Sequence, residues 1–382
     1  MALPSSSLSF RVKRSEPEVI IPTKPTPQEL KPVSDIDDLD GFRFQIPIIF
    51  FYNNTGKQDP IKVIREALAH SLIYYYPLVG RLKEGFNNKL TEDWNGQGVT
   101  RLACGGFVLA LHVNHTMCDA SGLVQFLNAI AKGAMAPSVQ PVWQRHLFNA
   151  RNPPQITRTH HEFDDSQLTH SNSFCPKVFL FWSQTHKGTS ETTPTKPYLC
   201  RTLTLRLNPK ETVLVSCLVS TCGKNHYPTL HIPLGYYGNT AVYPAAVSNA
   251  ELLSQKPLEY AVELVKKAKD QIKEEEGRPM YKIEGNFIVS DTTKVGLGDV
   301  DLGWGLSICA DPAMAFYPIS FHVSYRDGIV VPICFQFWPW KGLNKSSTKC
   351  ARKVVICMHR GFEQNVYRTL CVYLVCLENK RH

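Results

Sequence analysis

The alternation of hydrophobic and polar positions divides the first half of the chain into strands and helices. Residues Arg43 to Tyr52 are rich in β-branched and aromatic side chains, which predicts a buried strand. A helix is predicted next, because Asp59 can cap it, Pro60 suits its first turn, and apolar residues then recur at spacings of three and four. A second buried strand is predicted from Phe107 to Asn114, and an amphipathic helix follows it after a short turn.

The rest of the chain shows a similar mixture of patterns. Residues Pro137 to Pro197 are irregular and rich in His, Thr, Ser and Pro, which is typical of a long crossover. Beyond it, strands are predicted at Arg201–Leu207, Asn286–Ser290, Ala315–His322 and Gly328–Cys334, and a helix from Pro257 to about Glu275. Mixed strands and helices in two halves indicate α/β layering. We therefore predict an N-terminal half at 1–136, a crossover at 137–197, a C-terminal half at 198–334 and an atypical tail at 335–382.

Composition narrows the class of protein. The chain has 382 residues, and its 43% hydrophobic content can fill one large core or two ordinary ones. No run of 18 or more apolar residues occurs, and Met1 to Phe10 lacks the apolar segment of a secretory signal. The 12 cysteines lack the paired short spacings of a zinc ribbon, which favours reduced thiols. These features predict a soluble, cytoplasmic protein with no membrane partner.

The formal net charge of +9 suits an anionic ligand. Nucleic acid would also fit this charge. However, no helix-turn-helix, zinc-finger or RNA-recognition signature accompanies it, so we expect no nucleic-acid partner.

His115 is the first candidate for chemistry. It directly follows the strand predicted at Phe107 to Asn114, and strand-end loops place side chains at clefts. An imidazole with a pKa near 6.5 accepts a proton at neutral pH, so His115 is a candidate general base. Asp119 either orients this imidazole or braces the loop by pairing with a cation. Taken alone, a His-x-x-x-Asp spacing is common, and a surface pair or a core histidine is its ordinary interpretation.

A metal site made of His112, His115, Cys118 and Asp119 is an alternative interpretation of the same segment. It is disfavoured, because residues three apart on a continuing strand face opposite sides of the sheet. No matching pair of ligands occurs elsewhere in the chain.

A glycine-rich segment at residues 296–305 is the second candidate. It holds four glycines and Trp304, but its spacing is not that of a dinucleotide-binding loop, and no helix pattern follows. The segment is either a rigid turn that presents the indole to a site or a bend with a buried indole.

Together, the two segments resemble the signature pair of the plant BAHD acyltransferases, HxxxD and DFGWG. They read His115-Thr116-Met117-Cys118-Asp119 and Asp301-Leu302-Gly303-Trp304-Gly305. The resemblance extends to residues 75–82, 235–239 and 289–293, and it is closest to the branch of alcohol acyltransferases and benzyl alcohol O-benzoyltransferases.

The resemblance implies a two-domain, chloramphenicol-acetyltransferase-like α/β fold with a channel between the halves. It also implies a monomer without a metal, which uses acyl-CoA as co-substrate and passes an acyl group, such as benzoyl, to a small alcohol. In such an enzyme His115 deprotonates the acceptor, and Asp119 points away from the channel and pairs with an arginine. The indole N–H of Trp304 is expected to help hold the oxyanion.

The resemblance further implies structural roles for Asp301, Gly303 and Gly305, which shape the turn around the tryptophan. Ser290 and Asp291 match positions near the coenzyme A site of the family.

This chain also departs from the family pattern. Segments expected between Gly98 and Arg101, around Thr185–Cys200 and after Gly305 are shortened, so apparent internal deletions are predicted. The arginine expected to pair with Asp119 aligns with Cys222. The alternative to a working enzyme is therefore an inactive or truncated family member that binds coenzyme A or a partner without turnover.

Overall fold

The computed structural model describes residues 15–53, 58–79, 82–84, 90–92, 97–102, 105–150, 174–182, 212–220, 231–270, 286–313, 319–325 and 328–336. Up to residue 182, its elements are β1 (Gln45–Tyr52), α1 (Pro60–Ser71), β2 (Leu82–Glu84), β3 (Leu90–Glu92), β4 (Gln97–Arg101), β5 (Phe107–Asn114), α2 (Ala120–Ala131) and β6 (Phe174–Trp182). Beyond that residue, they are β7 (Thr212–Ser220), β8 (Ala241–Val242), β9 (Ala245–Asn249), α3 (Ala250–Gln255), α4 (Leu258–Asp270), β10 (Asn286–Asp291), β11 (Cys309–Pro312), β12 (Ile319–Tyr325) and β13 (Gly328–Gln336).

Most of the predicted elements are confirmed. The helix predicted at residue 59 is α1, and Asp59 caps it by accepting a hydrogen bond from the backbone N–H of Ile61 at 3.0 Å. The strand predicted from Phe107 to Asn114 is β5, with the same bounds. The strand predicted at Arg201–Leu207 lies outside the described residues, as do the last residues of the helix predicted to reach Glu275.

A four-stranded antiparallel sheet, which we call the first sheet, carries the candidate base. Its strand order is β11-β1-β5-β4. Burial alternates along β5, because one face of the sheet packs on the core that it shares with α1 and α2. β11 comes from far along the chain, and Phe50 of β1 lies opposite its Ala310. Residues 297–313 therefore complete a layer that otherwise belongs to the first half.

The second sheet has the order β6-β13-β12-β10-β7-β8, with β9 also paired to β7. β10 runs parallel to both β7 and β12, whereas the other pairs are antiparallel. β6 lies in the segment predicted to be an irregular crossover, so that prediction is wrong for Phe174–Trp182. Pro176 and the irregular flanks hide the strand pattern. Among the described strands β6 lies at the edge of its sheet, where a proline is tolerated.

None of the helices in the described ranges has both the length and the apolar content needed to cross a membrane.

Candidate active site

His115 lies at the point where β5 leaves the first sheet. Its backbone N–H donates to the carbonyl of Phe44 at 2.9 Å, just before β1 begins. The imidazole is 8% exposed and stacks face to face on Phe42, with ring centroids 4.3 Å apart and planes 8° apart. Phe44 lies at a tilt on the same imidazole, at 5.6 Å. The ring is therefore held in an apolar, nearly water-free environment.

This environment sets the charge of the imidazole. Burial lowers the pKa of His115 below its usual value, because an imidazolium loses solvation there. The carbonyl of His115 itself, the charge of Asp119 and the side chain of Asn239 act in the opposite direction without reversing the shift. The lowered pKa favours the neutral imidazole, which is the form that a general base requires.

Asp119 braces the loop after His115. One carboxylate oxygen caps α2 by accepting from the N–H of Gly122 at 2.9 Å. The other oxygen accepts from the backbone N–H of Thr240 at 3.2 Å and from its hydroxyl at 3.0 Å. Burial raises the pKa of Asp119, and these hydrogen bonds oppose the rise.

The described partners of Asp119 do not include the arginine that the family pattern places beside it. Within the described ranges no cationic side chain forms an ion pair with Asp119. Cys222, the residue that aligns with that arginine, lies outside the described residues. Of the two roles open to Asp119 from sequence, the contacts support bracing, although they are made to neutral donors.

Gly122 explains why small residues follow Asp119. A Cβ atom at this position would lie 2.1 Å from the carbonyl oxygen of Tyr237, far inside van der Waals contact. The first turn of α2 therefore presses directly on the backbone of residues 235–240, and only a glycine permits this approach.

Three buried polar residues that sequence reasoning missed lie against the same loop. Arg145 donates to the carboxylate of Asp37 at 2.9 Å and to the carbonyl of Met117 at 2.7 Å. Asn239 donates to the same Asp37 oxygen through its backbone and its side chain, both at 2.9 Å, and to the carbonyl of His115 at 2.8 Å. Asn239 ends the segment 235–239 that resembles the family, although no role was assigned to it. For Arg145 the signal was a cation placed between aromatic residues in the 3-10 helix Arg145–Phe148 and just before it.

The glycine-rich segment forms a tight turn whose geometry accounts for its residue types. One carboxylate oxygen of Asp301 accepts from the N–H groups of Gly303 and Gly305, at 2.8 and 2.9 Å. Both glycines have positive φ values, +100° and +82°, which other residues adopt only with strain. The expected structural roles of Asp301, Gly303 and Gly305 fit this turn.

Trp304 occupies the core beneath the first sheet. It is 5% exposed and meets Phe107 edge to face, with ring centroids 5.1 Å apart. Nearby, the hydroxyl of Tyr52 donates to the carbonyl of Val300 at 3.1 Å. Of the two interpretations of this segment, the structure supports a bend with a buried indole.

The structure does not bring Trp304 and His115 together. Phe107, which Trp304 contacts, begins β5, and His115 follows its end. The backbones of Phe107 and His115 are therefore separated by about 25 Å at the usual rise per residue. The role of Trp304 as an oxyanion donor therefore stays a prediction, and its packing against Phe107 at the far end of β5 favours a core side chain instead.

Ser290 and Asp291 lie at the end of β10 in the second sheet. Ser290 is buried, and it is in register with Phe321 of the parallel neighbour β12. Asp291 accepts from the N–H and the hydroxyl of Thr293, at 3.1 and 2.6 Å, and so shapes the turn that follows. The two residues occupy the carboxyl end of β10, a usual position for ligand contacts in parallel sheets.

The structure shows where the residues of the alternative metal site lie. Along β5, Val113 is buried and His112 is only partly so, which places His112 on the face opposite the core. Throughout the part of the chain that the structure describes, no three His, Cys, Asp or Glu side chains are grouped so that they could hold a metal ion.

Comparison with known proteins identifies the family. A family model described as "Transferase family" matches residues 10–100 and 97–187. Alcohol acyl transferase 1 allele GSd of Malus domestica is 42% identical over 431 residues, covering 88% of this chain and 92% of the relative. Benzyl alcohol O-benzoyltransferase of Nicotiana tabacum is 39% identical over 424 residues, covering 86% and 91%. The chain belongs to the BAHD acyltransferase family.

Solved structures agree on the fold of this BAHD protein. Vinorine synthase superposes with a TM-score of 0.65 at 18% identity, covering 84% of this chain and 93% of the other. F. graminearum TRI101, crystallised with coenzyme A and deoxynivalenol, superposes with a TM-score of 0.63 at 10% identity, covering 81% of this chain and 95% of the other. The predicted two-domain α/β acyltransferase fold is thereby confirmed at the level of fold class.

The same comparisons confirm that this BAHD chain is shortened. The alignment with the Malus domestica relative spans 431 residues, which exceeds the 382 residues of the whole chain, so segments of the relative have no counterpart here. The two matches to the family model meet at residues 97–100. That junction coincides with the first predicted deletion, between Gly98 and Arg101.

Proposed function

We propose that this chain is an acyl-CoA-dependent O-acyltransferase that moves an acyl group, such as benzoyl, from coenzyme A to a small alcohol. The observation that carries the proposal is the buried imidazole of His115, which stacks on Phe42 at the end of β5 and is attached to a hydrogen-bonded loop. Its relatives are named alcohol acyl transferase and benzyl alcohol O-benzoyltransferase, which supports this choice of donor and acceptor.

The proposed reaction follows from the chemistry of the imidazole. His115 takes the proton of the acceptor hydroxyl while the alcohol oxygen attacks the thioester carbonyl. The resulting tetrahedral oxyanion collapses, the carbon–sulfur bond breaks, and the imidazolium returns its proton to the departing thiolate. The ester and free coenzyme A leave with all atoms balanced. General-base assistance of this kind contributes about 10² to 10⁴-fold in rate.

The carboxylates around the loop help the charged intermediate form. Burial disfavours an imidazolium at His115, whereas the negative charges of Asp119 and Asp37 favour it. The two carboxylates therefore lower the cost of moving a proton into an apolar environment, although neither of them takes part in the transfer.

We further propose that Ser290 and Asp291 contribute to the coenzyme A site, which the family pattern at the end of β10 supports. The net charge of +9 supports a polyanionic co-substrate. We also propose that the protein is a monomer that acts in the cytoplasm. Its segments are proposed to end at residues 136, 197 and 334, as the sequence predicts.

A second candidate function is an inactive family member that binds coenzyme A without turnover. The observation that favours it is the length of the chain, since the deletions remove segments that its relatives possess.

Ester formation by the purified full-length chain distinguishes the two candidates. Benzoyl-CoA and benzyl alcohol are supplied, and the released thiol and the benzyl benzoate are both quantified. His115→Ala is compared with His112→Ala, a matched control three residues earlier in the same region. We expect the control to retain activity and His115→Ala to lose about 10² to 10⁴-fold.

Equal traces of product from the wild type and from His115→Ala would refute the catalytic proposal. In that case, calorimetric binding of coenzyme A to the wild type would support the second candidate.

A further inference from the structure

A charged and fully buried cluster lies behind the loop that follows His115. Asp37 and Asn239 are 0% exposed and Arg145 is 2% exposed. Charged side chains are almost never buried to this degree unless they are paired. The three residues come from separate parts of the chain, so the cluster forms only when those parts have folded together.

The cluster converges on backbone carbonyls of that loop. Arg145 uses one terminal guanidinium nitrogen for Asp37 and the second terminal nitrogen for the carbonyl of Met117. Asn239 uses its side-chain amide for the same Asp37 oxygen and for the carbonyl of His115. One carboxylate oxygen of Asp37 thus accepts from Arg145 and from both the backbone and the side chain of Asn239, and both residues also donate to carbonyls of the loop.

The loop has no sheet partner at these carbonyls, because β5 ends at Asn114. A buried carbonyl requires a donor, and here the donors are side chains whose positions are fixed by an ion pair. The imidazole of His115 is attached to the same backbone through only two rotatable bonds. A displacement of about 1 Å in a reacting group can cost about 10²-fold in rate, so this anchoring bears directly on catalysis.

Stability alone does not explain a cluster of this composition. A buried ion pair is expensive to desolvate, and hydrophobic side chains of similar volume often give equal or greater stability. Arg145 lies among Trp143, Tyr236 and Tyr237, with its guanidinium carbon 4.2, 5.6 and 5.0 Å from their ring centroids. An apolar side chain would fit among these rings, but it could not hold the carbonyl of Met117.

We propose that the Asp37–Arg145 pair, together with Asn239, is a positioning device for His115. The proposal rests on the proposed function of His115 as the general base. Arg145 does not contact the reacting atoms in this arrangement; it acts by fixing the backbone from which the imidazole projects.

Arg145→Lys tests this role, because lysine keeps the charge but cannot span both acceptors. Asn239→Ala is a second variant, which removes the donor to His115 and leaves the ion pair intact. Ile64→Ala is the stability control, since it removes a buried side chain of α1. All rates are measured at a temperature where circular dichroism shows each variant to be folded.

We expect kcat to fall by about 10²-fold in Arg145→Lys and in Asn239→Ala, with the KM for benzoyl-CoA nearly unchanged. Ile64→Ala should lower the unfolding temperature and leave kcat unchanged. When His115→Ala is already present, Arg145→Lys should cause no further loss, because nothing remains to be positioned. Unchanged kcat in both folded variants, or a full additional loss on the His115→Ala background, would overturn the proposal.

The imidazole resonances of His115, followed by NMR against pH, make the test independent of turnover. We expect Arg145→Lys to shift these resonances and to bring the pKa of His115 closer to its usual value, while Ile64→Ala leaves them in place. An inactive wild type would refute the proposed function, whereas the NMR comparison would still decide the positioning role. Identical His115 resonances in the wild type and in Arg145→Lys would refute that role.

Discussion

Replacing Trp304 by phenylalanine separates a packing role from a catalytic one. The indole is 5% exposed and contacts Phe107 edge to face in the core. Removing a buried tryptophan side chain entirely costs about 3–5 kcal/mol, and an aromatic pair adds about 0.5–1.5 kcal/mol beyond burial. Because phenylalanine keeps a ring but leaves part of the volume empty, we expect Trp304→Phe to lower the free energy of unfolding by about 1–2 kcal/mol.

The assay combines urea unfolding with steady-state kinetics below the unfolding transition. Loss of one oxyanion-hole donor typically lowers kcat by about 10² to 10³-fold. Because the indole lies about 25 Å along β5 from His115, we expect kcat to remain close to that of the wild type. Phe107→Leu is the matched control, and it should lower stability in the same way without affecting kcat.

The double variant of Trp304 and Phe107 should show a coupling free energy of about 0.5–1.5 kcal/mol, since each ring loses the same contact. A Trp304→Phe protein with wild-type stability and a kcat reduced a hundredfold or more would refute our placement of this side chain.

Three other substitutions test the surroundings of the site and the strand β11. Asp119→Ala removes the cap of α2 and the acceptor for Thr240. We therefore expect the free energy of unfolding, measured in urea, to fall by about 2–4 kcal/mol. A decrease below about 0.5 kcal/mol would contradict the bracing role. Gly122→Ala should destabilise the protein, because the added Cβ would lie 2.1 Å from the carbonyl oxygen of Tyr237. This effect opposes the higher helix propensity of alanine. A variant as stable as the wild type would show that this close contact is absent. Asp311 is 1% exposed, and among the residues that the structure describes neither of its carboxylate oxygens has a hydrogen-bond partner. Burial raises its pKa well above the usual value. The folded state thus holds the Asp311 proton more tightly than the unfolded state. The free energy of unfolding, compared with that of Asp311→Asn, should therefore fall as pH rises from about 4, by at most about 1.4 kcal/mol per pH unit. Parallel plots of the two free energies against pH, from about pH 4 to about pH 8, would contradict this.

Elements governed by local signals could be predicted from the sequence. The helix α1 was predictable because its cap at Asp59, its proline and its apolar spacing lie within a few residues of one another. The position of His115 was predictable for the same reason, since the strand that delivers it precedes it directly. The turn at Asp301 was recognisable from its glycines, which its backbone geometry requires.

Features that depend on distant contacts could not be predicted in this way. Arg145 pairs with a residue 108 positions earlier, and a buried arginine has the same appearance in a sequence as one on the surface. The placement of Trp304 depends on β11 joining β1, a pairing of residues about 260 positions apart. Its resemblance to the family motif indicated the turn, but it did not indicate which end of the first sheet the turn would reach.

The two signature motifs are connected through one strand rather than by contact with each other. At the beginning of β5, Phe107 packs against Trp304 of the glycine turn. At its end, the loop of His115 is held by Asn239 and Thr240, from another part of the late chain. Both late segments thus contact the same strand, one at each end. Because only the segment with Asn239 and Thr240 contacts the loop of His115, we expect changes in the glycine turn to reduce the amount of folded protein and changes at Asn239 to reduce kcat.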